Sequence, residues 1–341
     1  MFRYQIAERV HEKTSIWSFV FAICVFFHVT CCLSLDAASN PQRTMLRHDV
    51  SLVPPRKIVQ DAKQSVKIGF ERKVRTKADV LNDFARASNR KHSSKVYEQD
   101  CSNPDALGVT RVLEVDTKGG IYLSGRYRER LPLKTKEVVL TFDDGPLPRN
   151  TNRVLKALDD ACTKATFFIV GKMAKAYPDT LRRVALSGHT IGYHTMSHPF
   201  DITKKPLSYA RKDISDGWRV VDRILYGKAG DKPVNSFFRY PSLVNSPAIN
   251  SWLSGLDMGV FASDVDGRDW LKGYLSARDA GNVVEQVLRS VEHSGRGVIL
   301  LHDIKPSSSH AIAAILKELK TRGYKIVHIV PKGELPSVVA R

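Results

Sequence analysis

Two carboxylates stand side by side, Asp143 and Asp144 of the run TFDDGP, directly after the apolar Val138-Val139-Leu140. Like charges that close raise one another's pKa and cost stability unless a cation or strong donors compensate them. A solvated Asp-Gly turn is the plain alternative. A second group, His194-Thr195-Met196-Ser197-His198, spaces two imidazoles at i and i+4. On a helical turn both point the same way and can reach one metal. An isolated HxxxH is also compatible with two surface histidines, and the glutamate of the HExxH peptidase pattern is absent. Joined to a carboxylate from another segment, the pair becomes a His-His-Asp set with open coordination positions, the composition of a catalytic divalent site. Imidazole plus carboxylate favours Zn2+, with Co2+, Ni2+ and Fe2+ as other fits. The residue types alone leave open whether Asp143 or Asp144 is the ligand.

These groups must be positioned by something regular. Beyond about Thr135, short apolar runs alternate with amphipathic stretches. The runs are EVVLTF, ATFFIV (165–170), HTIGYH (189–194), FFRYP (237–241), GVFASDV (259–265), GVILLHD (297–303) and YKIVHIV (324–330). Helical patterns lie between them at 150–161, 173–186 with a break at Pro178, 207–226, 248–253, 282–293 and 310–321. Strands alternating with helices predict βαβ units and a parallel sheet. The fold class is therefore α/β, an irregular or incomplete parallel (β/α) barrel of about seven strands. Asp143 and Asp144, His194, Arg239, Asp264, Asp266 and Asp269, and His302 with Asp303 all follow predicted strands. In a parallel barrel those strand ends share one face, where active sites form.

Charge and cysteines bear on the compartment. The chain has 341 residues and a formal net charge of +18. From Pro41 to Asp100 there are 14 Lys+Arg against 7 Asp+Glu, with weak hydrophobic periodicity, which predicts a solvated, mostly extended basic arm. Such an arm suits an anionic cell-wall or membrane surface. Zinc-finger, RNP-type and basic-zipper patterns are missing, which points away from nucleic acid. No motif implies an obligate protein partner. Arg3, Arg9 and Lys13 precede an apolar stretch from Ile16 to Leu35. This reads as a secretory signal, with Ala37-Ala38-Ser39 as a cleavage site, or as an uncleaved anchor. The expected location is thus exported: periplasmic, secreted or anchored in an inner membrane by residues 16–35. The expected organisation is residues 1–40 as signal or anchor, 41–100 as arm and 101–341 as the catalytic domain. Cys24, Cys31 and Cys32 fall in or beside the apolar stretch, leaving Cys101 and Cys162 to form a disulfide.

TFDDGP, HTMSH, FFRYP, SDVDGRDW and LLHD, in this order, resemble the five motifs of the NodB-type polysaccharide deacetylases, carbohydrate esterase family 4. The resemblance covers roughly residues 101–335 and rests most specifically on TFDDG with HTxSH. It implies that Asp144, His194 and His198 are the metal triad. Asp143 would be the general base toward the attacking water and His302 the general acid toward the leaving amine. Arg239 would orient Asp143, Asp269 would tune His302, and Tyr240, Pro241, Ser242, Trp270 and Leu300 would meet the sugar. The chain departs from the family where Arg-x-Pro-Tyr is common, reading Arg239-Tyr240-Pro241-Ser242-Leu243. Ser242 keeps a backbone N–H for the oxyanion, while the tyrosine's share of the sugar wall is in question. Tyr193, where smaller polar residues are common, is expected to narrow the pocket. Asp264 and Asp266 read as structural or rim groups, His189 as a packed strand residue and His310 as a surface group at a helix start.

The implied activity is metal-dependent removal of N-acetyl groups from N-acetylglucosamine-containing glycans: chito-oligosaccharides, chitin or peptidoglycan. The chemistry agrees, since amide hydrolysis needs an activated water, a stabilised oxyanion and a proton for the nitrogen. Two other classes compete. One is a non-catalytic glycan-binding module on the same fold, which a missing ligand, base or acid would signal. The other is an amidohydrolase acting on another C–N bond, since fold does not dictate function.

Overall fold

The computed structural model describes residue 103 and residues 105–339, apart from 275 and 334. The arm, the apolar stretch from Ile16 to Leu35 and Cys101 lie outside the described residues. Among the described residues, no helix is long and apolar enough to cross a membrane.

Among the described residues there are ten strands: β1 (Arg111–Val115), β2 (Ile121–Leu123), β3 (Glu137–Asp143), β4 (Thr166–Ile169), β5 (Thr190–Tyr193), β6 (Phe237–Phe238), β7 (Gly259–Phe261), β8 (Val265–Asp266), β9 (Gly297–His302) and β10 (Lys325–Pro331), with helices between most of them from β3 on. The helices are α1 (Pro148–Asp160), α2 (Gly171–Ala176), α3 (Pro178–Leu186), α4 (Leu207–Tyr226), α5 (Pro247–Ser254), α6 (Ala280–Ser294) and α7 (Pro306–Thr321). Proline occupies the first turn of α1, α3, α5 and α7, where its missing N–H breaks no hydrogen bond. The expected break at Pro178 separates α2 from α3. α7 starts at Pro306 instead of 310, so His310 is exposed inside the helix.

Every strand pairing is parallel, and the arc runs β7-β6-β5-β4-β3-β9-β8. Its end strands, β7 and β8, are separated by only residues 262–264, yet they do not pair with each other among the described residues. The arc is therefore a barrel with one unpaired seam. β10 pairs with the start of β3, and β1 extends the sheet beyond β10. β2 pairs with β7. β1 and β2 come from residues ahead of Thr135, where no strand was expected.

Strand parity sorts the core. On β3, Val138, Leu140 and Phe142 pack outward with the helices, while Val139 packs inside with Phe168, Phe237, Phe261 and Val298. Each of these phenylalanines is essentially inaccessible, and burying one contributes about 1.5–3 kcal/mol. Continuing the inward series from Val139 through Thr141 brings Asp143 to the top of the barrel interior. On β9 the series from Val298 through Leu300 delivers His302 the same way.

Candidate active site

Asp144 leaves β3 with a left-handed backbone (φ 76°). Its Oδ1 lies 3.5 Å from His194 Nε2 and 3.1 Å from His198 Nε2. The ligand-capable atoms of these three residues all fall within 4.8 Å of one another. Asp144 Oδ1 is buried but has no correctly angled hydrogen-bond donor. An orphaned carboxylate oxygen converging with two imidazole nitrogens fits a divalent cation, and the donor set is one that zinc accepts. Burial raises the Asp144 carboxyl, but the two imidazoles outweigh it and hold the group below the usual carboxylate range. His194 Nδ1 donates to the Arg239 carbonyl (2.8 Å), which turns Nε2 toward the cluster.

The loop carrying both histidines rests on a built platform. Gly171 and Lys172, opening α2, donate their N–H groups to the carbonyls of Thr195 and Met196. Asp213 on α4 accepts from both the N–H and the hydroxyl of Ser197, the latter at 2.7 Å. Thr195 Oγ1 accepts from the His198 N–H (3.0 Å). Gly217 on α4 lets the helix approach, since a Cβ there would stand 2.6 Å from the Thr195 carbonyl carbon. Neither Asp213 nor Gly217 carries a signal in a single sequence, because each acts on the HTMSH loop from a distant helix.

Arg239 is fully buried inside the barrel and ties its sides together. It donates to Asp143 Oδ1 (2.7 Å), Thr141 Oγ1 (2.8 Å) and the Ala262 carbonyl (3.0 Å). Its guanidinium lies 4.2 Å from the centre of the Phe168 ring. Asp143 Oδ2 faces the cluster, 3.8 Å from His194 Nε2. Asp269, also inaccessible, accepts from His302 Nδ1 and from the His302 N–H, each at 2.7 Å, and from the Ser308 hydroxyl. Burial lowers the His302 pKa, but Asp269, with Asp144 and Asp143 further off, more than offsets it and pushes it up to about 9.

A cavity of about 670 Å³ joins these groups. Its lining includes Asp143, Asp144, His194, His198 and His302, together with Tyr240, Ser242, Leu300 and Trp270. Pro241, expected at the sugar, is buried and does not line the cavity. Ser242 and Leu243 follow it with left-handed backbones (φ 55° and 50°) and do. Strained backbone of this kind, shared with Asp144 and His198 (φ 56°), concentrates at functional sites. Tyr193 does not narrow the pocket. It is buried on the opposite strand face, with its hydroxyl on Asp222. Asp266 lines the rim and accepts from the Trp270 indole (3.3 Å), while Asp264 accepts from the Gly125 and Val298 N–H groups. His189 is buried. Two further residues belong to the site: Asp303, which the sequence placed at a strand end without a role, and Phe200, which it passed over. Asp303 is inaccessible, packs beneath Gly145 and is pushed up to about 7 by burial. Phe200 lines the cavity beside His198.

A parallel barrel with a two-histidine, one-aspartate cluster, a carboxylate and a histidine at the ends of its strands defines a hydrolase-type α/β barrel. Residues 130–258 match the model of the polysaccharide deacetylase family. The chain is 36% identical over 197 residues to the peptidoglycan-N-acetylmuramic acid deacetylase PdaC of Bacillus subtilis, covering 57% of this chain and 38% of that protein. It is 33% identical over 190 residues to a peptidoglycan-N-acetylglucosamine deacetylase of Bacillus cereus, covering 56% of this chain and 68% of that protein. The structure of the Bdellovibrio bacteriovorus peptidoglycan deacetylase Bd3279 superposes with a TM-score of 0.57 at 26% identity, covering 75% of this chain and 69% of that one. The chain belongs to the NodB-type polysaccharide deacetylases, carbohydrate esterase family 4.

Proposed function

We propose that the protein hydrolyses the N-acetyl groups of amino-sugar residues in a β-linked glycan, with peptidoglycan as the leading substrate and chitin-type polymers or oligomers next. The observation that carries this reading is the meeting, in one cavity, of the Asp144-His194-His198 cluster with both a carboxylate and a histidine held by dedicated partners. The names of the peptidoglycan-acting relatives support the order of substrates. A non-catalytic module would be expected to lack a ligand, the base or the acid, and the chain has all of them.

Asp144, His194 and His198 would hold a divalent ion, zinc first by donor preference. Such an ion, when bound, supplies Lewis acidity to water and to the amide carbonyl. Arg239 donates to Asp143 Oδ1, which leaves Oδ2 to take a proton from the attacking water. The Ser242 N–H, early in a short 3-10 turn and so without a partner inside it, would donate to the developing oxyanion. His302 carries a proton at neutral pH and gives it from Nε2 to the departing nitrogen, Nδ1 being engaged by Asp269. Each proton transfer is worth about 10²–10⁴ in rate.

The basic arm and the stretch 16–35 belong to the same proposal: export, with the arm facing an anionic wall or membrane. Cys162 is disulfide-bonded, which supports an oxidising compartment, although the proposed pairing with Cys101 falls outside the described residues. The test is acetate release from peptidoglycan and from chito-oligosaccharides by zinc-loaded protein. A chelator should abolish release and added zinc should restore it. Release that persists in the fully chelated protein, or no release from either glycan, refutes the reading.

A further inference from the structure

Among the described residues, the large hydrophobic side chains left exposed are Phe200 (72%), Trp270 (52%) and Tyr209 (43%). Single surface hydrophobics are ordinary and need no explanation. Phe200 and Trp270 are different because both line the cavity that holds the metal cluster. They stand at opposite ends of its chemistry. Phe200 meets the His198 ring edge-on, with centroids 4.9 Å apart and planes at 84°, so it lies on the triad's side. Trp270 follows Asp269, which holds His302, and its indole donates to Asp266 on the rim, so it lies on the acid's side. The His198 edge contact occupies only part of the Phe200 ring and leaves most of it in water.

Resting on the deacetylase reading above, we infer that Phe200 is a sugar-stacking platform, and that the cavity takes an oligosaccharide whose rings extend past the reacting residue on both sides. A pyranose has a polar rim of hydroxyls and an apolar face of axial C–H groups. An aromatic ring in water covers such a face and buries apolar area on both partners. The reacting acetamido group sits between the triad and His302. An aromatic beyond the triad therefore meets a neighbouring ring of the chain, not the ring being deacetylated. A single amino sugar would leave Phe200 in water and draw nothing from it. A longer chain draws affinity from it. Phe200 is thus a residue that selects for substrate length.

The competing role is purely structural, with Phe200 bracing the His198 imidazole. The two roles separate by substrate length. The experiment uses the zinc-loaded full chain and its Phe200→Ala and Phe200→Tyr variants. The probes are two-ring and five-ring chito-oligomers and the corresponding short and long peptidoglycan glycan fragments. Acetate release and calorimetric binding are both read. The expected result is that Phe200→Ala raises KM and Kd for the long fragments about five- to tenfold, as loss of a partly buried aromatic contact predicts, with a much smaller change for the two-ring probe. Zinc content stays at the wild-type level and Phe200→Tyr restores long-fragment affinity. Equal losses at both lengths together with reduced zinc content would assign Phe200 to support of His198 and overturn the inference. So would unchanged binding of the long fragments, or no binding of them by the wild-type chain. Phe200-dependent binding of long fragments without acetate release would refute the deacetylase reading and leave the platform standing. Acetate release indifferent to Phe200 would do the reverse.

Discussion

Asp269 does more to the chemistry of His302 than its distance from the cavity suggests. It is inaccessible, takes both the ring N–H and the backbone N–H of His302, and is itself held by Ser308. The buried imidazolium exists because that carboxylate faces it. The His302 pKa is raised from 6.5 to about 9 in the folded state, so its contribution to stability is complete below 6.5 and is lost as pH rises through about 9. In the proposed mechanism the same proton is the acid's, so activity should fall on the alkaline side. A cation at the triad offsets the contribution of Asp143 and Asp144, which brings that limb of the loaded enzyme below 9. Asp269→Asn should move the limb further down, to below the ordinary imidazole value, because burial then acts unopposed. The pH dependence of kcat/KM measures it, and an unmoved limb would remove Asp269 from that role. Much of this site was legible in residue type and motif order. The choice between Asp143 and Asp144 was not, because it depends on parity: Asp143 shares the inward face of β3 with Val139 and Thr141, and Asp144 is the first residue off the strand. The same parity turns Tyr193 away from the pocket, one position before His194. Phe200 was missed because an exposed aromatic outside any strand or helix pattern has no periodic signal.

At the scale of elements, α2 and α4 act as jigs for the HTMSH loop. Their positions were readable from helical periodicity and from Pro178, but their contacts with the loop were not. Asp213 reads as an ordinary polar residue of an amphipathic helix, and only the fold brings it beneath Ser197. The strands β1 and β2 were unreadable for a different reason. They are short and only partly buried, and the turn between them contains Gly119 and Gly120, so neither shows a sustained alternation. Asp213→Ala would leave the Ser197 N–H and hydroxyl without their acceptor, at a cost of about 1–3 kcal/mol. Slackening the loop should also weaken zinc binding about 10–100-fold, the usual effect of removing support from behind a ligand. Thermal unfolding checks the first effect and chelator competition the second. Zinc affinity equal to wild type would show that His198 is held without Asp213.

Over the whole molecule, the formal charge of +18 is densest between Pro41 and Asp100, where 14 basic residues stand against 7 acidic ones, although residues 101–341 carry the larger share of it. The cavity, by contrast, brings Asp143, Asp144 and Asp266 together and, among the described residues, has Lys305 as the one Lys or Arg in its lining. The two charge distributions suit different tasks: the cavity for a cation and a glycan, the arm for an anionic surface. If the arm concentrates the enzyme at a wall or membrane, its effect belongs to insoluble anionic substrate alone. Removing residues 1–100 while keeping Cys101 should leave acetate release from short soluble oligomers within about twofold, a change of less than about 0.5 kcal/mol. On intact cell-wall material at low ionic strength the truncated protein should be several-fold slower. That difference should shrink as salt is raised, because the screening length falls from about 10 Å at 0.1 M to about 3 Å at 1 M. Rates of the two forms on both substrates, across that salt range, decide it. A truncated protein equally slow on soluble oligomers would mean that the arm supports the barrel itself. A salt-independent deficit on the wall would mean that its contacts there are not electrostatic.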